Sequence, residues 1–373
     1  MTNRRKFIKQ MAAAGIASSL PSSLFTQPAF LSKQASTQNK DLIWANLLHL
    51  SYNMWEDHNN RVWDENLPAD TYISDDFKPK TCMDARRWAH GYRSFLTFDD
   101  KTWDATLLHM VKQGMNMVII DLGDAVKYQS HPEIAVKNAW STDKLKAELA
   151  KMRKMGLEPI PKLNFATTHQ AWLGEYSRMV STEKYYSVCK NLINEVIDLF
   201  DTPRFFHLGM DEETYDHQRI HNYVTIRQND LWWHDFYILM EEVEKRNVRS
   251  WVWSDYAWHH PELFFKKMPK SVLQSNWYYK ANLELEKLKE PHKTYLNLYN
   301  TLEKYGYDQI PTGSNHSFDT NMESTVDYCK KAIDDSRLLG FMTATWRPTL
   351  APCLNKHKEA IDQVGRAINK FYS

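Results

Sequence analysis

The sequence predicts an α/β chain folded as a (β/α)8 TIM barrel with a long insertion after the first strand. Three observations carry this reading. From Asp41 onward, short apolar runs alternate with amphipathic helical segments, the pattern of parallel strands joined by helical crossovers. Eight such runs fit in about 330 residues, a common size for a barrel of about 250 residues with insertions. The C-terminal ends of the runs carry polar and aromatic residues: Asp121 and Asp124, Asn164, Asp211 and Glu212, Asp255, Asn276 and Trp277, and Trp346. That is the end at which barrel enzymes place their chemistry. The alternative is a doubly wound open sheet. Against it, the first strand is not followed by a dinucleotide-type Gly-rich loop, and the chain has neither a P-loop nor a GxSxG elbow.

The first strand is the apolar run Ile43 to Leu50, after which Glu56 to Asp100 reads as an irregular insertion over the barrel mouth. A helix follows with Trp103, Leu107, Met110 and Val111 on one face, the i, i+4, i+7, i+8 spacing of a buried stripe. Gly114 closes it before the strand Met117 to Ile120. The next helix begins after Ser141 or Thr142, buries Leu145, Leu149 and Met152, and stops at Gly156. Pro159 to Phe165 is the third strand. A helix carrying Tyr185, Cys189, Leu192, Val196 and Leu199 precedes the fourth strand, Phe205 to Leu208. Helix Leu231 to Arg246 leads to strand Ser250 to Ser254. Val272 to Trp277, Gln309 to Thr312 and Gly340 to Thr345 complete the strands, and residues 355 to 372 form a closing helix.

Composition narrows the function classes. Hydrophobic residues make up 43% and charged residues 25%, which excludes wholesale disorder. The net charge of +1 conceals an asymmetry, because residues 1–40 hold six Lys or Arg and no acid. Beyond them 41 basic residues face 46 acidic ones, so the surface does not suit nucleic acid. Fourteen tryptophans and 19 tyrosines suit a cleft for sugars or other flat-faced ligands. The four cysteines form neither a CxxC pair nor a dense framework.

The N-terminus reads as an address. Arg4-Arg5-Lys6-Phe7-Ile8-Lys9 precedes an apolar run from Met11 to Leu20, which is too short to span a bilayer. The arginine pair resembles a twin-arginine export signal. Residues 1–40 are therefore expected to be a signal peptide and linker, and residues 41–373 a periplasmic or secreted catalytic domain with no membrane span. The sequence specifies no oligomeric state.

The fourth strand runs into His207-Leu208-Gly209-Met210-Asp211-Glu212-Glu213. Adjacent carboxylates at a strand end can face one cleft, where one pKa is expected to rise while the other stays low. The structural alternative is an acidic loop or helix N-terminus. His207 to Glu212 resembles the His-x-Gly-Gly-Asp-Glu motif of the family 20 glycoside hydrolases, the β-N-acetylhexosaminidases. Met115 to Asp124 is similar to that family's second strand. Glu158 to Asn164, with His169-Gln170-Ala171-Trp172 after it, resembles the third strand and its histidine loop. Phe341 to Trp346 resembles the eighth strand.

The resemblance implies a retaining, substrate-assisted glycosidase acting on a carbohydrate without metal or cofactor. It makes Glu212 the general acid and Asp211 the residue that orients the substrate's 2-acetamido group. It puts His207 and His169 behind the acid, with Trp253, Trp277 and Trp346 walling the pocket and Tyr278 or Tyr279 at the acetamide. Asn164, Asp121, Asp124, Asp255 and Asn276 are expected nearby. The sequence departs from the family pattern at several places, among them Arg347-Pro348 after Trp346, where a glutamate is common two places on. His49 to Trp55 contains no arginine, Lys162 and Asn164 stand where acids are common, and Met210 replaces a glycine. A rebuilt sugar pocket follows, to which Arg86, Arg87 or Arg93 of the insertion could contribute a guanidinium. Two other readings compete. A metal-dependent hydrolase could gather His49, His169, His207 and Asp211, and a non-catalytic glycan-binding barrel would need the tryptophans but not the carboxylates.

Overall fold

The computed structural model describes residues 42–55, 73–219, 221 and 223–373. The expected signal peptide and the first part of the insertion lie outside these residues. Eight parallel strands form the sheet: β1 (Ile43–His49), β2 (Met117–Asp121), β3 (Glu158–Lys162), β4 (Phe205–His207), β5 (Arg249–Trp253), β6 (Leu273–Ser275), β7 (Thr312–Gly313) and β8 (Gly340–Ala344). Their order is β6-β5-β4-β3-β2-β1-β8-β7. Ala45 lies opposite Met117 on one side of β1 and opposite Met342 on the other. The last gap, between β6 and β7, is closed by isolated bridges at Gln274–Gln309 and Trp277–Thr312. The fold is the expected (β/α)8 barrel.

The strands are nearly continuous apolar runs because both faces are buried. Ile43, Ala45, Leu47, Met117, Ile119, Ile160, Trp251 and Met342 pack together in the barrel interior. The alternating Trp44, Leu48, Val118 and Ile120 join the core under the helices, as the two-residue period of a strand requires.

The helices are α1 (Cys82–His90), α2 (Asp100–Lys112), α3 (Thr142–Lys154), α4 (Glu183–Leu199), α5 (Tyr215–Gln218), α6 (Asp230–Glu244), α7 (Tyr256–His259), α8 (Pro261–Lys267), α9 (His292–Lys304), α10 (Asn321–Ala332) and α11 (Leu354–Phe371). Local chemistry sets several starts. Asp99, Ser141 and Thr182 accept the backbone N–H of Thr102, Lys144 and Tyr185, and Thr81 with Asp84 makes a full capping box on α1. None of the helices is long and apolar enough to cross a membrane, among the described residues.

Three strand boundaries differ from expectation by more than one residue. β3 stops at Lys162 rather than Phe165, although the backbone N–H groups of Leu163 and Phe165 still donate to the carbonyls of His207 and Leu208. β6 is limited to Leu273–Ser275. β7 is Thr312–Gly313 rather than Gln309 to Thr312, with Gln309 held only by single bridges to Gln274 and Leu338. Helices α9 and α10 were not anticipated, although Leu296, Tyr299 and Leu302 in one and Met322, Val326 and Cys329 in the other carry the helical spacing. The described part of the insertion forms α1.

Candidate active site

β4 ends at His207, and the chain turns sharply through Gly209, Met210 and Glu212, whose φ values are +74°, +74° and +56°. Gly209 is required by close approach, since a Cβ there would lie 2.0 Å from Asn164 Oδ1. Asn164 ties the turn together. Its Oδ1 accepts the backbone N–H of Ala166 at 3.0 Å and of Met210 at 3.3 Å, and its Nδ2 donates to Asp211 Oδ1 at 2.8 Å. From the far side, the backbone N–H of Glu212 donates to Asp255 Oδ2 at 2.8 Å, and the Thr168 hydroxyl donates to the Glu212 carbonyl at 2.6 Å. The pair of carboxylates therefore rests on a rigid strand end, clamped from β3 and β5.

His169 bridges the pair. Its Nδ1 lies 3.3 Å from Asp211 Oδ1 and its Nε2 lies 3.4 Å from Glu212 Oε2. His217 Nε2 lies 3.3 Å from Glu212 Oε1, and the opposite ring nitrogen is 2.8 Å from the Thr214 hydroxyl. Burial alone would keep His169 neutral, but the charge and hydrogen bond of Asp211, then those of Glu212, carry it up to about 10. The same contacts act in reverse on the acids. Burial favours their protonated forms, yet the charge and hydrogen bond of His169 hold Asp211 below the usual range, and hydrogen bonds from His169 and His217 hold Glu212 well below it. This corrects the expected split between Asp211 and Glu212, because an imidazolium between two carboxylates lets both ionise. The raised carboxyl is Asp255 instead, pushed up to about 7 by burial and by the charge of Asp211.

A cavity of about 350 Å³ opens over the pair, within the size range of small-ligand sites. Tyr52, Trp55, Trp277, Tyr279 and Trp346 supply its aromatic walls, and Arg86, His90, His169, His217, His221 and His316 line it with Asp211, Glu212 and Asp216. Trp346 Nε1 donates to the Tyr279 hydroxyl at 3.2 Å, and the Tyr52 hydroxyl donates to the Trp346 carbonyl at 3.0 Å. Trp277 and Tyr279 stack with ring centroids 5.0 Å apart. Burial, then the Arg86 charge, brings His90 down to about 3 and His316 to about 4. That side of the cavity sets neutral imidazoles around the Arg86 guanidinium, facing the anionic pair.

Asp211, Glu212, His169, Trp277 and Trp346 thus meet at one cavity, and Asn164 and Asp255 support them from behind. Of the other expected residues, Tyr279 and Arg86 also line it, and the rest do not. His207 lies inside the barrel, where burial and then Lys162 keep it neutral and its Nδ1 accepts the Gly209 N–H at 3.0 Å, so it does not contact the acid. Trp253 lies beneath Trp346 in the barrel core, with centroids 6.0 Å apart. Asp121 is held by Lys162 Nζ at 2.5 Å and His49 at 3.4 Å. Asp124 accepts from the Ser51 hydroxyl at 2.6 Å and Asn53 at 2.8 Å. Asn276 bonds Trp258 Nε1 and the Tyr295 carbonyl. Tyr278 packs in the outer core, because consecutive residues after β6 point opposite ways; Tyr279 takes the cavity position. The third carboxylate, Glu213, is consumed by a buried forked contact with Arg227.

Tyr52 and Trp55 were missed although they directly follow β1, where the barrel rule points. His217 stands five residues beyond Glu212. Arg86, one of the arginines expected from the insertion, reaches the cavity; His90, one turn further along α1 at i+4, was missed. Among the described residues one set of metal-capable donors gathers, His169, Asp211 and Glu212, with atoms within 4.8 Å of one another. His49 and His207 are not part of it.

No family model matches the sequence, and no curated protein does. Solved structures do match in shape. The chitobiase of Flavobacterium johnsoniae superposes with a TM-score of 0.53 at 15% identity, over 75% of this chain and 46% of that one. The family 20 β-N-acetylhexosaminidase of Streptomyces coelicolor gives 0.51 at 10% identity, over 88% of this chain and 64% of that one. A mutant β-hexosaminidase of Streptomyces plicatus, in complex with N-acetylglucosamine as product, gives 0.51 at 11% identity over 88% and 64%. The chain therefore spans roughly half to two-thirds of the length of these neighbours. The likeness is one of fold: the described residues from 42 onward adopt the (β/α)8 barrel also seen in these family 20 β-N-acetylhexosaminidase structures.

Proposed function

We propose that this cavity is the active site of a retaining glycoside hydrolase that removes a β-linked 2-acetamido sugar with the help of the substrate's own acetamide. The observation that carries the reading is the Asp211-Glu212 pair, fixed at the end of β4, bridged by His169 and facing an aromatic-walled cavity. The tryptophan and tyrosine faces suit the apolar face of a sugar ring. Both recorded contacts of Asp211 fall on Oδ1, which leaves Oδ2 to accept the acetamide N–H. The acetamide oxygen then attacks the anomeric carbon as its bond to the leaving oxygen breaks, and Glu212 delivers a proton to that oxygen. Water next attacks the cyclised intermediate, giving its proton to Glu212 and restoring the acetamide.

Against burial, the charges of Asp211 and Glu212 raise His169 to about 10, which favours the proton on the imidazole. Glu212 must recover it before it can donate, and the short contacts with His169 and His217 supply the route. A glycan-binding barrel would have no use for this shared proton, so the arrangement favours an enzyme. The leader reading adds export through Arg4 and Arg5 to a periplasmic or extracellular glycan.

The test is a panel of aryl β-glycosides differing only at C2, acetamido against hydroxyl, together with a thiazoline mimic of the cyclised intermediate. Cleavage of the acetamido member with thiazoline inhibition is expected. Cleavage confined to hydroxyl members, without thiazoline inhibition, would remove the substrate-assisted mechanism. Abolition of turnover by a chelator, restored by zinc, would favour a metal on His169, Asp211 and Glu212 instead.

A further inference from the structure

Cys82 and Cys353 are 271 residues apart in sequence, yet they meet where α1 packs against the turn Ala351–Cys353 that leads into α11. The Cys353 thiol donates to the Cys82 backbone carbonyl at 3.6 Å, which brings the two cysteines side by side. Their exposures differ in a useful way. Cys353 is fully buried, whereas Cys82, the first residue of α1, is partly open to solvent. The hydrogen bond from Cys353 is the strongest influence on Cys82. It outweighs burial and, with the nearby Arg347 and Lys356, lowers the Cys82 thiol below its ordinary value, which raises its thiolate share. The remaining cysteines, Cys189 and Cys329, are buried in the core, and burial pushes both thiols up.

We propose that Cys82 and Cys353 form a thiol–disulfide exchange site, whose oxidised form is a covalent tie between α1 and the start of α11. The oxidant is a low-molecular-weight disulfide. The Cys82 thiolate attacks one sulfur of it, forming a mixed disulfide and releasing one thiolate. The Cys353 sulfur, passing its proton to that released thiolate, then attacks the Cys82 sulfur and expels the second thiolate. Two protein thiols become one disulfide while the reagent disulfide becomes two thiols. The order of attack follows from access, because only Cys82 meets solvent. Since α1 carries Arg86 and His90 into the cavity wall, the tie fastens that wall to the barrel. The inference rests on the thiol pair alone and does not depend on the glycosidase reading.

The experiment uses the full chain, reduced, freed of reductant and incubated with oxidised glutathione at about pH 8. Thiols are then counted after denaturation, and the peptides are mapped by mass spectrometry. Two of the four thiols should disappear, with one cross-linked species joining the peptides of Cys82 and Cys353. The melting temperature should rise by roughly 3–6 °C and fall back with dithiothreitol. Cys82→Ser should retain its three remaining thiols. Retention of four thiols by the wild type would overturn the proposal. So would a stable glutathione adduct on Cys82, or a bridge through Cys189 or Cys329.

Discussion

Glu212→Gln tests the role of the acid most directly. The substitution keeps shape and hydrogen-bonding reach but abolishes the transferable proton. Loss of general acid catalysis lowers turnover by about 10²–10⁴-fold, equivalent to roughly 3–5 kcal/mol of barrier. The structure predicts that little else changes. The clamp on this residue is its backbone N–H to Asp255 and its carbonyl to Thr168, and neither involves the carboxylate. His169 keeps Asp211 as a charged partner at 3.3 Å, so no buried charge is stranded.

The pH behaviour gives an independent reading of the same variant. His169 is raised to about 10 in the folded protein by Asp211 and Glu212 against burial, so its stabilising contribution is complete below its ordinary value near 6.5 and fades as pH climbs through about 10. Removing Glu212 takes away part of the raising influence. The alkaline fall in melting temperature should therefore begin at lower pH in the variant than in the wild type. The assay is steady-state kinetics on three aryl 2-acetamido glycosides with phenol, nitrophenol and dinitrophenol leaving groups, alongside thermal melts from pH 6 to pH 10. The deficit should be greatest for phenol and nearly vanish for dinitrophenol, which departs without a proton. A deficit below about tenfold on the phenyl glycoside, or equal deficits across all three, would refute proton donation by Glu212.

Three further outcomes are expected. Asp211→Asn should cost about 10²–10³-fold, roughly 3–4 kcal/mol, on a 2-acetamido glycoside, while any residual cleavage of 2-hydroxy analogues stays unchanged; kinetics on the matched pair decide it. Gly209→Ala forces a Cβ to within 2.0 Å of Asn164 Oδ1 at a φ of +74°. It should cost about 2–4 kcal/mol of stability by strain and overpacking, read by calorimetry, and a melting temperature equal to wild type would mean Asn164 is not the fixed anchor described. Changing Arg4 and Arg5 together to Lys should leave the precursor in the cytoplasm on cell fractionation, and normal export of that variant would remove the twin-arginine reading.

Much of the architecture was legible because it depends on periodicity. Val118 and Ile120 must bury outward where Met117 and Ile119 bury inward, and only a parallel strand covered on both sides wants such a run. Asp211, Glu212 and His169 were legible because strand ends in a barrel converge. Less visible was whatever depends on which way a loop turns. Tyr278 and Tyr279 are adjacent and chemically identical, and one residue of phase decides which meets the cavity. His207 carries a familiar motif position, yet the inward direction of the last β4 residue commits it to the barrel interior. His217 and His316 come from loops of no fixed period, and Arg86 and His90 from a helix inside an insertion with little apolar patterning. The ionisation of the pair was misread for a related reason, since it depends on His169 standing between both carboxylates, which is a tertiary fact.

The barrel is not equally well fastened around its circumference. β1, β2 and β3 share five-residue registers, whereas β6 and β7 are joined through three backbone hydrogen bonds, Gln274 to Asp308, Ile310 to Gln274 and Thr312 to Asn276. Amide hydrogens along that line should be the first strand amides to exchange with deuterium, because a short ladder opens without unfolding its neighbours. Trp277 and Tyr279 emerge from this edge, while Asp211 and Glu212 follow β4, which lies away from it. Opening along that line would shift the aromatic wall relative to the carboxylates, so the size of the group admitted beside Trp277 and Tyr279 is expected to vary with how readily those three hydrogen bonds part.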